Sequence, residues 1–304
     1  MGRSLCDGLV EAEKCAACVL EHRGVPDPVA WAMSQLPRAL SAAAATHQGR
    51  AGTALGMPAL IERNQAAQHR LFDTAAAFVV LSDFAADVVR ANGAPPDKVV
   101  VNRLGVDLTR ARCTRKPSPS ERKTASPVTF GFVGRAEAIK GLEDVVHAAS
   151  LVPRTVPFQL RVVAAASTPD EIAIVARCRA IAEDDARISI GAALPPGEIA
   201  RFLTEIDVLV CPSKAVEGGP TVALEAHAVG TPVIGSTMPA LTEYVRHAVN
   251  GVLVPPGDSQ ALAVEIERIA RDPAGTVDRW RAALVQPRTF DDIARDYLDL
   301  YREA

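Results

Sequence analysis

The chain has 304 residues, room for two ordinary domains, and with 48% hydrophobic against 23% charged residues it can bury sizeable cores, which excludes a disordered or fibrous chain. A net charge of −3 supplies no general attraction to nucleic acid, and no apolar run reaches the roughly 18–20 residues of a membrane span.

The first residues carry no secretory signal, because Met1 to Lys14 lacks an apolar core, and MGRSLC holds Cys6 where a myristoylation signal has Ser or Thr. The chain reads as cytoplasmic. Cys6, Cys15, Cys18 and His22 form C-x8-C-x2-C-x3-H, a set that zinc accepts. Its first gap is non-standard and it holds a single C-x2-C pair, so free thiols are the preferred reading and no metal is expected. Cys113, Cys178 and Cys211 are scattered, which suits a reducing compartment.

Residues 29–74 read as Ala-rich helices, including SAAAAT at 41–46. AAFVVLSDFAADVVRANG (76–93) predicts a strand and a helix, and KVVVNRLGVD (98–107) a second strand. A complete doubly wound domain opens with a strand and a tight glycine turn, and the first 50 residues offer neither. Residues 1–109 are therefore expected to form only part of an α/β domain.

RARCTRKPSPSERKTASP (110–127) has six basic residues, one acidic residue and little apolar content, and 110–126 reads as a linker. Its charge is compatible with a peripheral contact at the inner membrane face. Charge also divides here: 16 Lys and Arg against 12 Asp and Glu up to residue 126, then 17 against 24.

From Pro127 the pattern is regular. Strands are predicted at 128–134, 158–165, 188–194, 206–213, 231–236 and 251–256, with helices near 141–152, 169–184, 196–205, 220–229, 239–247 and 258–272. Six strands alternating with helices imply a Rossmann-like, doubly wound parallel sheet over 127–288. FDDIARDYLDLYREA then gives an amphipathic helix over 289–304, with Phe290, Ile293, Tyr297, Leu300 and Tyr301 on one side. No solenoid repeat is present.

In such sheets the ligand sits beyond the carboxyl ends of the strands, where strand order reverses, between the first and fourth strands of the usual order. The first strand leads into GRAEAIKG, bringing Gly134, Arg135 and Lys140; the fourth leads into EGGPTVALE, residues 217–225. Two cations stand where a dinucleotide fingerprint has close-packed glycines, and together they can neutralise a diphosphate. Gly218 and Gly219 permit close backbone approach, and Pro220 suits the first helical position, which leaves the N–H groups of Thr221, Val222 and Ala223 for phosphate oxygens. Glu225 can accept from two ribose hydroxyls, and Glu217 can reach a group beyond the phosphates. The histidines, His47, His69, His147, His227 and His247, share no spacing and read as structural or solvated.

FVGRAEAIKGLEDVVHAA together with PSKAVEGGPTVALEAHAVGTPVIGSTMPALTEYVRHAVNGVLVPPGD resembles the donor-binding domain of retaining GT-B glycosyltransferases of family GT4, a likeness that spans residues 127–304. The E-x7-E spacing from Glu217 to Glu225 is that family's signature. The resemblance implies a GT-B fold, a transferase using a UDP- or GDP-type sugar with no metal cofactor, and a glycan or lipid-linked acceptor. It implies that Arg135 and Lys140 bind the diphosphate, that Glu217 contacts the donor sugar, that Glu225 holds the ribose, and that the Gly218 to Val222 backbone serves phosphate and sugar. It also makes the front half the acceptor side and the last helix the segment that returns to it. Leu104-Gly105-Val106-Asp107 departs from the commoner Asn-Gly-Val-Asp, and a front glycine loop is missing. Two other readings remain open: a silent nucleotide-sugar-binding remnant or half-enzyme that needs a partner chain, and a nucleotide-sugar epimerase.

Overall fold

The computed structural model describes residues 6–107, 117, 119–121, 126–216 and 218–303, so most of the linker assigned to 110–126 lies outside the described residues. Two compact units are formed, one ending at Asn102 and one running Arg103–Glu303.

In the front unit, helices Ala12–His22, Asp27–Ser34, Arg38–Ala45, Arg50–Leu55 and Met57–Thr74 precede strand β1 (Phe78–Val80), helix Asp83–Ala91 and strand β2 (Val99–Val101). Nothing in the sequence reading marked the first of these helices. Ser82 starts helix Asp83–Ala91 by accepting from the Ala85 N–H at 3.1 Å. The buried Asn92 then ties the chain start down, accepting from Val10 N–H and donating to Gly8 O, each at 2.8 Å. Among the described residues β1 and β2 pair only with each other, in parallel. Two small clusters serve as core: Ala16, Leu20, Ala30 and Met57 in one, Phe72, Ala86, Ala94 and Val99 in the other.

The rear unit is the expected sheet. Strands β3 (Val128–Arg135), β4 (Phe158–Ala165), β5 (Ile188–Ala192), β6 (Val208–Cys211), β7 (Val233–Ser236) and β8 (Gly251–Val254) are all parallel, in the order β5-β4-β3-β6-β7-β8. A parallel sheet needs helices on both faces. Helices Leu142–Leu151, Pro169–Ala182 and Ser259–Arg271 cover one face over Phe130, Phe158, Leu160 and Ile234; Pro196–Glu205 and Thr221–Ala228 cover the other over Leu209 and Val233. Thr168 and Glu171 form a reciprocal cap on the second of these helices, and the Ser167 and Thr168 N–H groups hold the Glu171 carboxyl down at about 2.

Strand order reverses between β3 and β6, and the register there explains the crevice. β3 pairs with β4 over eight positions, from Val128↔Phe158 to Arg135↔Ala165, but with β6 over two, Phe130↔Val208 and Gly131↔Leu209. Asp207 pins the amino end of the pair: its N–H donates to Thr129 O at 2.7 Å, its carboxylate accepts from Thr129 N–H at 2.8 Å, and buried Arg281 stands 3.4 Å away. Beyond Gly131 and Leu209 the strands splay.

The predicted helix over 239–247 stops early, as Pro239–Thr242. Asn250 captures its continuation, accepting from Arg246 N–H at 2.7 Å and donating to Tyr244 O at 3.1 Å, while Ala248 takes the left-handed conformation at φ 62°. No helix among the described residues is long and apolar enough to cross a membrane.

Candidate functional site

The splay between β3 and β6 opens a cavity of about 210 Å³. Gly134 and Arg135 line it from the end of β3, Lys140 from the turn that follows, Ser213 from the exit of β6, and Pro220, Thr221 and Val222 from the start of the next helix. The two cations and the helix start thus face one space, as the sequence reading expected. Gly134 has no heavy atom nearer than 3.7 Å to the place of a Cβ, so a larger residue there would take up cavity volume.

The cationic side is built by a tight turn. Ala138–Lys140 forms one 3₁₀ turn, closed by Lys140 N–H to Glu137 O at 2.9 Å, and Gly141 follows at φ +74°. A Cβ on Gly141 would lie 2.6 Å from Pro212 O, so only glycine lets this turn close onto the exit of β6. Lys140 is half-buried, whereas the Arg135 side chain is 62% exposed and its Nη1 pairs with Glu137 Oε1 at 2.6 Å. The sequence reading missed Glu137, which is near enough in sequence to suggest itself but has no motif to mark it.

The side built by the helix start differs in detail from expectation. Pro220 caps the helix rather than occupying its first turn, and helix Thr221–Ala228 begins one residue later. The Ala223 N–H, expected to be free, donates to Pro220 O at 2.9 Å. Helix geometry leaves the N–H groups of Thr221 and Val222 without intrahelical acceptors. Gly219 sits at φ +154° with a would-be Cβ 2.7 Å from Leu104 Cδ1, so this loop packs against a residue that no spacing rule linked to it. Gly218 and Glu225 are exposed and do not line the cavity; Glu217 lies outside the described residues.

His227, two residues past Glu225, is buried rather than solvated, and burial pulls its imidazole down to about 4, so it is neutral near pH 7. The zinc set is not gathered: Cys15, Cys18 and His22 ride on helix Ala12–His22 and Cys6 is exposed ahead of it. Among the described residues no group of three or more His, Cys, Asp or Glu side chains is placed to hold a metal ion. A larger cavity, about 520 Å³, lies beyond β4 and β5, lined chiefly by Ala164–Ala166 and Gly191–Ala193 with Arg179 as its cation. Volume alone does not make it the better site, because convergent charge and free amides are found in the smaller one.

Comparison with known proteins agrees with this geometry. The chain is 30% identical over 233 residues to D-inositol 3-phosphate glycosyltransferase of Pseudarthrobacter chlorophenolicus, covering 74% of this chain and 54% of that protein. It is 31% identical over 186 residues to glycogen synthase of Mycobacterium tuberculosis, covering 61% of this chain and 43% of that one. The chain spans about half the length of the curated relatives it matches. Among solved structures, Anabaena Alr3699/HepE in complex with UDP superposes with a TM-score of 0.68 at 20% identity, covering 80% of this chain and 68% of that one. A glycosyltransferase from Rickettsia africae superposes with a TM-score of 0.62 at 14% identity over 97% of this chain and 80% of that one, and with Anabaena HepE it marks the fold as GT-B-like. The model of the family "Glycosyl transferases group 1" matches residues 115–284, and on that match, over a sheet whose order and crevice are those described, the chain belongs to the group 1 glycosyltransferases.

Proposed function

We propose that the protein is a retaining glycosyltransferase that moves a sugar from a nucleoside diphosphate to a hydroxyl of a glycan or lipid-linked acceptor. The observation that carries the reading is the convergence of Arg135, Lys140 and the start of helix Thr221–Ala228 on one cavity at the strand-order reversal. Breaking the bond between the anomeric carbon and the phosphate oxygen leaves negative charge on the diphosphate and positive character on the sugar. Fixed cations and amides aimed at the diphosphate stabilise the charge where it develops, without a metal ion. Glu225 would accept from the ribose hydroxyls and Glu217 from the donor sugar. Retention would follow attack of the acceptor oxygen on the departing face, with its proton passing to the leaving phosphoryl oxygen. The choice of UDP or a related nucleotide is supported by the UDP and UDP-glucose complexes of Anabaena HepE. Membership in the group 1 family and the cationic cleft both favour transfer over epimerisation.

A thermal-shift panel with UDP, GDP and ADP tests this. One nucleotide is expected to raise the melting temperature, and Arg135→Ala and Glu225→Ala each to reduce that rise. No shift with any nucleotide overturns the reading. Stereochemical analysis of the product then decides retention, and turnover of the sugar donor by the purified chain separates an active transferase from a nucleotide-binding remnant.

A further inference from the structure

Two hydrogen bonds stitch the turn that bears Lys140 to the loop leaving β6, an ion pair joins that loop to the start of helix Leu142–Leu151, and a third hydrogen bond ties the loop to β7. Lys214 N–H donates to Ile139 O at 2.7 Å, Ser213 Oγ donates to the same carbonyl at 3.4 Å, and Ser236 Oγ donates to Ser213 O at 2.5 Å from a fully buried position. Lys214 Nζ lies 2.8 Å from Asp144 Oδ2, with the carboxylate 18% and the lysine side chain 34% exposed. Lys214 itself does not line the cavity, whereas Lys140 and Ser213, on either side of the stitch, both do.

We infer that Lys214 is a positioning residue for the anion site: with Asp144 it clamps the Ala138–Lys140 turn onto the β6 exit and so fixes the separation between the cations and the amides of the following helix. The physical need is plain. Arg135 and Lys140 come from one strand-to-helix connection and Thr221 and Val222 from another, and in this crevice the ladder that could hold those connections in register has already ended at Gly131 and Leu209. Something other than sheet hydrogen bonding must keep two separate loops at diphosphate spacing. The Ile139 carbonyl does so through backbone and hydroxyl donors, and the Lys214–Asp144 pair locks the carbonyl's neighbours laterally. The pair is partly shielded, so it holds geometry more firmly than an exposed ion pair does.

This inference rests on the anion-site reading, and the test separates the two. Lys214→Met keeps the backbone N–H and the aliphatic stem but removes the ammonium. Amide hydrogen exchange on the full chain is expected to quicken about fivefold or more at Lys140, Gly141 and Lys214, with the melting temperature nearly unchanged. For whichever of UDP, GDP or ADP binds the wild type, affinity is expected to fall about fivefold in Lys214→Met and in Asp144→Asn, with the double variant no worse than either single one and Lys214→Arg largely restored. Unchanged exchange at those three amides overturns the clamp, as does unchanged affinity in Lys214→Met, or a loss of melting temperature with affinity intact. If the wild type binds none of the three nucleotides, the anion-site reading fails, while the exchange measurement still decides whether the clamp exists.

Discussion

The two units are built from similar residue types, yet they bury them differently. In the rear unit the strands alternate with helices that lie on both faces of the sheet, and one face alone gathers Phe130, Phe158, Leu160, Ile234 and Trp280 into a continuous core. In the front unit two clusters of four buried residues do the work, one under the Ala-rich helices and one beside a two-stranded sheet. The difference teaches that alternation, rather than apolar content, is what lets a stretch of sequence announce its place: a strand between two helices has one destination, whereas an Ala-rich helix fits many.

The most direct attempt to break that comparison is to hollow out each core. Phe130 is fully buried edge-on to Phe158 at 6.0 Å, and Phe130→Ala is expected to cost about 3–5 kcal/mol in urea unfolding. Leu20→Ala in the front unit is expected to cost less, about 2–3 kcal/mol, because its smaller cluster can collapse more readily. Equal or reversed costs would undo the distinction.

A second test uses protonation. His227 titrates near 6.5 when unfolded and about 4 when folded, so between those values the unfolded chain holds the extra proton and stability rises with pH. The contribution is on the order of 3 kcal/mol across that window. It is complete above about pH 6.5 and lost as pH falls toward 4. In His227→Gln the slope of stability against pH from 4 to 6.5 should flatten; an unchanged slope would show that the imidazole is not buried as described.

Gly219→Ala sharpens the comparison at the site. The substitution puts a side chain into the left-handed region and against Leu104, and is expected to destabilise by about 1–3 kcal/mol and to weaken nucleotide binding at least tenfold. Leu104→Ala added to it should recover part of the stability, since the contact is relieved while the backbone conformation is not. The smallest effect is at the caps. Ser82→Ala and Thr168→Ala each remove one acceptor from a helix start and are each expected to cost about 1 kcal/mol by thermal unfolding, one in each unit. Capping is local, so here the two units should behave alike.

Much of the site was legible in the sequence. Gly134, Arg135, Lys140 and the residues from Pro220 to Val222 line one cavity because strand-to-helix connections in a parallel sheet all open at the same edge, so position along the chain already fixes the side on which each residue emerges. Errors arose where a local hydrogen bond takes up a backbone group: the Asn250 side chain ended a helix that apolar spacing had carried on to residue 247, and the Pro220 carbonyl, at the capping position, took the Ala223 N–H. Lys214 and the meeting of Leu104 with Gly219 went unnoticed, since nothing in a stretch of sequence says which distant atom it will meet, and Glu137 was missed because no motif marks a carboxylate two residues from Arg135.

The amino-acid order alone determined the alternating rear sheet and the edge at which cations and helix amides emerge, because these follow from short-range periodicity and the handedness of crossovers, whereas the strand order was taken as the usual one for such sheets and is the order found. Only tertiary structure decided that β3 and β6 part after two paired positions, that Lys214 reaches Asp144 across seventy residues of chain, and that Leu104 rests on Gly219. Such meetings depend on where separately folded segments come to lie within a few ångströms of each other, a distance that no local pattern encodes.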